Sequence, residues 1–310
     1  MTYRPLILGL FLLVSTSAAL GCINPIGSST IGGPISIDGL NAEESLTRIL
    51  THPGKAYWLQ ILAKLKIEET PSNRYDRTTN KTNTAVAMLH LGMVGKAIKI
   101  LEEIERTDPG RYYTAANLGT AYELNGEDAK ALEWIREGIT RNADAHNGSE
   151  WLHVKILEAK LSLAKDPNWL TNNSVIGVHR ISNEQLLMTG DVTAGNLGRP
   201  IDLNLVEKAL IYQLHERLEF IEAPEGVVAN LLYDLSRILA RTRGPEHATI
   251  VRAFAQSYGP DLMPWAIPDP PLPAVTLPPR PLSAYWMAGG VVLLIAFGGV
   301  VILLQRRRQT

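Results

Sequence analysis

Cysteine is almost absent from this chain of 310 residues, which contains only Cys22. One cysteine cannot form a disulfide within the chain, and the rest of the sequence has no cysteine for a metal site or a nucleophile. The chain also has almost no net charge, because its 30 Lys and Arg residues and 31 Asp and Glu residues give a net charge of -1. We therefore predict no nucleic-acid partner, because nucleic-acid-binding domains usually carry a clear excess of basic residues.

Recognisable catalytic motifs are missing as well. The sequence has no GxSxG, no HExxH, no phosphate-binding loop and no GxGxxG that opens a helix. His146 and His153 are seven residues apart and fall on one helix face, but helical metal ligands are more often four apart and no third ligand is evident. The sequence therefore predicts no catalytic residue, no cofactor and no metal, and the protein is not expected to be an enzyme.

Two segments match when the sequence is shifted by 34 residues. The matching pairs are Gly92 and Gly126, Lys96 and Lys130, Ala97 and Ala131, Ile98 and Leu132, Leu101 and Ile135, and Glu103 and Glu137. Apolar residues at steps of three and four give each predicted helix one apolar face. A hairpin of two such helices buries that face only between neighbours, so this period predicts a stack of helical hairpins.

The later copy, Asn117 to Ile135, resembles the tetratricopeptide repeat. The matching residues are Leu118, Gly119 and Tyr122 in the first helix, Gly126 at the turn, and Ala131 and Ile135 in the second helix. Small side chains at Gly119 and Ala131 are expected to let the two helices approach closely. We predict an all-α fold, namely a TPR-like helical-hairpin solenoid over residues 42–259, with its clearest repeats at 78–111 and 112–145 and a partial third from 146.

Helical periodicity continues outside the repeats. It is present at residues 42–51, 55–69, 149–164, 203–221, 227–243 and 246–258. These helices are expected to extend the solenoid or to cap it. Residues 71–83 are polar and predict a loop before the first clear repeat.

The resemblance implies a scaffold that binds a protein or peptide partner. Tetratricopeptide-like solenoids line a concave groove with the outward positions of each first helix. The matching positions here are His90 in the first repeat, Tyr113, Thr120 and Glu123 in the second, and Val154 and Glu158 in the third. The alternative, that these six residues are ordinary solvent-facing side chains, stays open at this point.

Residues 1–21 have the pattern of a secretory signal peptide. Arg4 supplies the positive end, and the apolar stretch from Leu6 to Val14 is too short to span a bilayer comfortably. Ordinary cleavage after Gly21 is one interpretation, while the other is that Cys22 resembles the lipid-modified cysteine of bacterial lipoproteins. Residues 22–41, rich in Gly, Ser and Ile, predict a surface lead-in to the helical domain.

The chain ends in three segments of contrasting composition. Residues 260–282 form a Pro-rich linker, which is expected to be extended. Residues 283–304 are uncharged and mostly apolar, and this segment is long enough to cross ~30 Å of hydrocarbon as a transmembrane helix. The basic tail 305–310 is predicted to be cytoplasmic by the positive-inside rule. We therefore expect a single-pass protein of a bacterial inner membrane, with its helical domain on the periplasmic side.

Two other functions stay open. Residues 168–200 lack a steady period and predict a long loop, and such loops in compact domains are often functional. The first alternative is therefore an enzyme or an enzyme accessory subunit that uses this loop. A second alternative is a secreted or surface-sorted protein, because its C-terminal tail resembles bacterial sorting tags that are processed. The preferred prediction is a non-enzymatic scaffold for protein–protein interaction at the outer side of the cytoplasmic membrane.

Overall fold

A computed structural model describes residues 35–67, 74–180, 186–188, 195–197 and 202–259. Most of these residues are helical. The helices are α1 (Ala42–Leu50), α2 (Lys55–Ile67), α3 (Arg74–His90), α4 (Val94–Thr107), α5 (Tyr112–Leu124), α6 (Asp128–Arg141), α7 (Ala145–Gly148), α8 (Glu150–Leu163), α9 (Trp169–Asn172), α10 (Leu203–Phe220), α11 (Gly226–Thr242) and α12 (Pro245–Gln256). They confirm the predicted all-α class.

Several predictions fall outside the described residues. These are the signal peptide at 1–21, Cys22, the linker at 260–282, the transmembrane helix at 283–304 and the tail at 305–310. Among the helices that the structure describes, none has the length and apolar character needed to cross a membrane.

The two glycines of the 34-residue match occupy equivalent turns. Gly92, between α3 and α4, has a φ of 74°, and Gly126, between α5 and α6, has a φ of 77°. Glycine is favoured in this left-handed region because it has no Cβ. At both turns the glycine amide donates to the carbonyl three residues earlier at 2.9 Å, and the next amide donates to the carbonyl five residues earlier at 2.8 or 2.9 Å. The two turns therefore have the same backbone geometry.

Helices α5 and α6 approach each other closely at Gly119. A Cβ placed on Gly119 would lie 2.4 Å from Cδ1 of Ile135, and Ile135 is fully buried beside the buried Ala131. A larger side chain at position 119 has no room unless Ile135 moves. This agrees with the expectation that small residues at positions 119 and 131 permit the close approach.

Two hydrophobic cores run through the described helices. Helices α2 to α6 pack in chain order around one core, and α1 with α10, α11 and α12 surrounds the other. Helix α8 joins them, since Leu152 and Ile156 belong to the second core while Leu157 belongs to the first. The same helix therefore brings the repeats and the C-terminal helices together.

Helix α3 starts earlier than the sequence predicted. The polar stretch 71–83 was expected to be a loop, but α3 already begins at Arg74. Thr78 and Thr82 are buried, and the Thr82 hydroxyl donates to the Thr78 carbonyl at 2.9 Å. Because threonine can satisfy its hydroxyl on its own helix backbone, a helix can bury it without an apolar pattern.

The segment 168–200 also differs from the predicted long loop. Its described part contains α9 and two antiparallel strands, β1 (Val178–Arg180) and β2 (Leu186–Met188), in which Val178 pairs with Met188. Strands of three residues are too short to produce a recognisable alternation. The residues before β1 are fixed to α11, since Ser174 donates to Asp234 at 2.6 Å.

The end of the predicted lead-in is part of the folded domain. Ile35 and Ile37 are buried in the second core rather than lying on the surface. Asn41 caps α1, because its side chain accepts from the Glu44 amide while the Glu44 carboxylate accepts from the Asn41 amide. Packing therefore begins before the predicted boundary at residue 42.

Candidate functional site

Helix α10 carries a run of polar side chains that are nevertheless buried. His215 is 1% exposed, and Glu216 and Arg217 are each 8% exposed. Burial of charge is unfavourable unless the charge is paired and hydrogen-bonded. The hydrogen-bond partners of residues 215–219 lie on α1, α2, α3 and α5, so the C-terminal half of α10 is held against these helices by polar contacts.

The first set of contacts, the Glu123 cluster, consists of Glu123 on α5, His153 and Lys160 on α8, and Arg217 on α10. Arg217 donates to both carboxylate oxygens of Glu123, at 2.7 and 3.2 Å. Nε2 of His153 lies 2.7 Å from Oε2 of Glu123, and Nζ of Lys160 donates to Oε1 at 3.2 Å. Three helices are thus joined through one buried carboxylate.

Electrostatics keep Glu123 ionised. Burial alone would raise its pKa, but Arg217, His153 and Lys160 together hold the pKa well below its ordinary value. Glu123 is therefore a fixed anion whose charge is already matched by its neighbours. It is poorly suited to act as a general acid or base.

The second set, the Glu219 cluster, fixes the last turn of α10 to α2 and α3. Oε1 of Glu219 lies 2.7 Å from Nδ1 of His90 and accepts from Nε1 of Trp58 at 3.3 Å. The rings of Trp58 and His90 stack with their centroids 3.7 Å apart. Burial would raise the pKa of Glu219, but the hydrogen bond from His90 and the nearby His52 lower it.

A third carboxylate extends the Glu123 cluster towards α7. Glu150 is fully buried between His146, with which it forms an ion pair, and Nδ1 of His153 at 3.3 Å. Burial would lower the pKa of His146, but the Glu150 carboxylate raises it to about 9. His146 also has a φ of 49°, which is uncommon for a residue with a Cβ and is a feature that recurs at functional sites.

A cavity of about 240 Å³ lies between α5, α8 and α10. It is lined by Thr120, Glu123, Leu124, His146, His153, Lys160, Gln213, Glu216, Arg217, Phe220 and Ile221. The lining residues of α10 recur at steps of three and four, which places them on one face of that helix. We call this space the α10 cavity, and it is the candidate functional site.

Glu216 is the one acid of the α10 cavity that is not in an ion pair among the described residues. Burial, with the Glu219 carboxylate nearby, raises its pKa well above the ordinary value, and Arg217 only partly opposes this. The raised pKa favours the protonated carboxyl group, which can donate a hydrogen bond as well as accept one. That property distinguishes it from Glu123 and Glu150.

The six residues predicted to contact a partner occupy different environments. His90 and Glu123 are 7% and 8% exposed and are engaged with α10, so they do not face solvent as expected. Thr120 lines the α10 cavity, and Val154 packs against the first core. Tyr113 is 39% exposed, and Glu158 accepts from Arg136 at 2.8 Å at the surface. Whether any of them binds a partner stays a prediction.

Sequence reasoning missed the contribution of α10. Glu216, Arg217 and Glu219 were not singled out, because charged residues on a helix are usually taken as its solvent-facing side. The available signal lay in the segment from Gln213 to Glu219, where polar residues are spread around the helix instead of being confined to one face. Such a helix must bury some of its polar groups.

His146 and His153, which the sequence placed on one helix face, lie on two different helices, α7 and α8. The carboxylate of Glu150 contacts both of them. Within the described ranges, no group of three or more His, Cys, Asp or Glu has the arrangement of a metal site.

Comparisons of the chain with protein-family models, with curated proteins and with solved structures found no match. The site therefore has to be interpreted from its own geometry.

Titration of the buried histidines predicts opposite pH dependences. Burial and the neighbouring His52 lower the pKa of His215 to about 3, so below pH ~6.5 the unfolded chain binds a proton that the folded protein excludes. Stability falls as the pH drops from ~6.5 towards 3. For His146, with a pKa of about 9, the folded protein keeps a proton that the unfolded chain releases, so stability falls as the pH rises from ~6.5 towards 9.

Two variants separate these effects in urea unfolding at pH 5, 7 and 8. Between pH 7 and pH 5 the wild type should lose about 2 kcal/mol more than His215→Gln, at ~1.4 kcal/mol per pKa unit. Between pH 7 and pH 8 it should lose about 1.4 kcal/mol more than His146→Asn, in which asparagine tolerates the left-handed backbone. Each variant is the control for the other, and parallel profiles for wild type and both variants would contradict the assignment.

Proposed function

We propose that this protein is an exported, membrane-anchored scaffold with a tetratricopeptide-like solenoid that holds a protein or peptide partner on the extracytoplasmic side. The observation that carries the proposal is the position of α10. The side of α3, α5 and α8 that was predicted to bind a partner already holds a helix of the same chain, through Glu123 and Arg217 and through His90 and Glu219. A surface that binds one helix through charged and aromatic groups is suited to bind another polypeptide.

The backbone geometry supports the solenoid part of the proposal. The turns at Gly92 and Gly126 have the same hydrogen bonds at the same 34-residue spacing as the sequence repeat. Helices α3 to α6 also pack in chain order, as neighbouring hairpins of a solenoid do. The signal peptide and the transmembrane helix are supported by the composition of residues 1–21 and 283–304.

Of the six residues predicted to contact a partner, Tyr113 is the one whose side chain is exposed. It stands at the start of α5 with 39% of its surface exposed, beside the ring of Tyr112 at 5.0 Å. Aromatic side chains that are partly exposed are common anchors in protein interfaces. We place the partner at Tyr113.

A second candidate, an enzyme or an enzyme accessory subunit, is favoured by one observation. Acidic, histidine and lysine side chains converge at the α10 cavity, and Asn196 of the segment 168–200 accepts from the Trp151 amide at 2.6 Å nearby on α8. Against it, the Glu123 carboxylate is already engaged by His153 at 2.7 Å and by Lys160 at 3.2 Å. The scaffold therefore remains the preferred proposal.

One labelling experiment tests both the placement and the surface. Tyr113→Cys and Leu205→Cys each introduce one exposed cysteine, since Leu205 is 49% exposed on α10 away from this surface. Intact cells are treated with a membrane-impermeant maleimide that carries a photocrosslinker, and the adducts are identified by mass. We expect both cysteines to be labelled and a discrete polypeptide adduct to form from position 113 but not from position 205.

The unmodified protein, with Cys22 alone, is the control for labelling at the natural cysteine. Labelling of positions 113 and 205 only after cell lysis would place the domain in the cytoplasm and refute the export. Identical adducts from both positions, or labelling at 113 without any polypeptide adduct, would refute the proposed binding surface.

A further inference from the structure

Two polar atoms of the α10 cavity have no hydrogen-bond partner among the residues that the structure describes. They are Oε1 of Glu216 and Nε of Arg217, and both belong to side chains of residues that are 8% exposed. A buried polar atom left unsatisfied destabilises the folded protein. Buried orphans are rare enough in native proteins that each calls for an explanation, and a bound molecule provides one.

Both atoms are suited to donate to the same kind of group. Arg217 can only donate, and its two other nitrogens are already used on Glu123. The raised pKa of Glu216 favours its protonated form, in which its hydroxyl can donate to a second acceptor. A carboxylate has two acceptor oxygens, one for each of these donors.

The charges around the α10 cavity favour an anion. Among its lining residues Arg217, Lys160 and the His146 imidazolium are cationic, whereas the acids are Glu123 and Glu216, and the raised pKa of Glu216 favours its neutral form. Glu150 and Asp128 are not among the lining residues and pair with His146 and with Lys160 at 2.7 Å. The lining is thus net positive, and the carboxylates that balance it lie outside the lining.

The lining of the cavity is also partly apolar. It includes Leu124, Phe220 and Ile221, and the volume of about 240 Å³ exceeds the ~150 Å³ of a cavity that holds benzene. The ligand therefore has a compact apolar body as well as an anionic head.

We propose that the α10 cavity binds a small organic acid, whose carboxylate accepts from Nε of Arg217 and from the carboxyl group of Glu216 while its apolar body lies against Leu124, Phe220 and Ile221. This site is separate from the proposed partner surface at Tyr113. Binding of an acid in the cavity does not depend on whether a protein partner binds at Tyr113. Because it lies between the repeats and α10, an acid bound there also reinforces the contact of α10 with α5 and α8.

The test uses the full-length purified chain in lipid nanodiscs and isothermal titration calorimetry, with empty discs as the blank. The probe is benzoate, and benzamide and benzylamine are the matched neutral and cationic molecules. We expect saturable binding of one benzoate per chain, at least about tenfold tighter than either control, which corresponds to about 1.4 kcal/mol. Equal binding of benzamide, tighter binding of benzylamine, or no saturable heat with benzoate would overturn the proposal.

Variants locate the binding in the cavity. Glu216→Gln keeps a donor and should bind benzoate within about threefold of wild type, whereas Glu216→Leu should weaken it about tenfold or more. Tyr113→Ala, outside the cavity, should leave the affinity unchanged, and thermal unfolding verifies that each variant is folded. Unchanged affinity in Glu216→Leu would overturn the assignment, as would a gain in Glu216→Gln, because a gain would mean that Glu216 is ionised and repels the probe.

Discussion

Replacing Glu123 by glutamine is expected to lower the free energy of unfolding by about 3–5 kcal/mol. The substitution keeps the shape of the side chain but removes the charge that balances Arg217 and Lys160. The Arg217 cation would then be left in the interior without its carboxylate partner. Removing one partner of a buried ion pair lowers the stability by far more than the intact pair contributes to it. Urea unfolding of the full-length chain, followed by circular dichroism, measures the loss.

Two further variants give this prediction its controls. Glu158→Gln removes a carboxylate that pairs with Arg136 at the surface, and it should cost no more than about 1 kcal/mol. The double variant Glu123→Leu with Arg217→Met removes both charges and should recover most of the stability, because an apolar pair of similar size often replaces a buried ion pair well. If Glu123→Gln and Glu158→Gln cost the same, the buried cluster does not hold the helices as described.

The two clusters together set the position of α10 along the repeats. Arg217 reaches α5 while Glu219, two residues later, reaches α2 and α3, so a shift of α10 by one turn would break both contacts at once. Apolar packing alone tolerates such shifts better, because one leucine can replace another at the same place. We infer that the polar clusters specify the register of α10, a role that buried polar groups have in some helical proteins.

The helices, the glycine turns and the close approach of α5 and α6 could be predicted from sequence because their signals are local. A turn glycine, a small residue at a close approach and an apolar step of three or four all lie within one hairpin, as at Gly119, Gly126 and Ile135. The structure reproduces the turn at Gly126 in its φ of 77° and in its hydrogen bonds. The same argument placed most helix boundaries within a few residues.

The site could be predicted only in part because its contacts are distant in sequence. Glu123 and Arg217 are 94 residues apart, and His90 and Glu219 are 129 apart, so no window of sequence contains both members of a pair. Thr120 and Glu123, which the sequence predicted as partner-binding residues, both line the α10 cavity, and their role in binding stays a prediction. What the sequence could not reveal is that a later helix covers this side and turns Glu123 from a surface residue into a buried one.

Replacing Gly119 by valine is expected to cost about 3 kcal/mol of unfolding free energy, near the upper end of the range for overpacking in a core. A Cβ at this position would lie 2.4 Å from Cδ1 and 2.6 Å from Cγ1 of Ile135, and 3.2 Å from its backbone nitrogen. Helix α5 must therefore move away from α6, which also disturbs Glu123 one turn later. The measurement is again urea unfolding, with proton exchange at α5 and α6 as a local probe.

The matched control is Gly138→Ala in α6, where the nearest atom to a new Cβ is the Ala116 nitrogen at an ordinary 3.7 Å. That change should be neutral or should stabilise by about 0.5–1 kcal/mol, because alanine is the better helix former. Combining Gly119→Val with Ile135→Ala removes the clashing atoms, so the double variant should be about 2 kcal/mol more stable than the sum of the single changes predicts. Strictly additive effects would mean that Gly119 and Ile135 are not in contact, and the close approach on which the paired-helix repeat depends would then be absent.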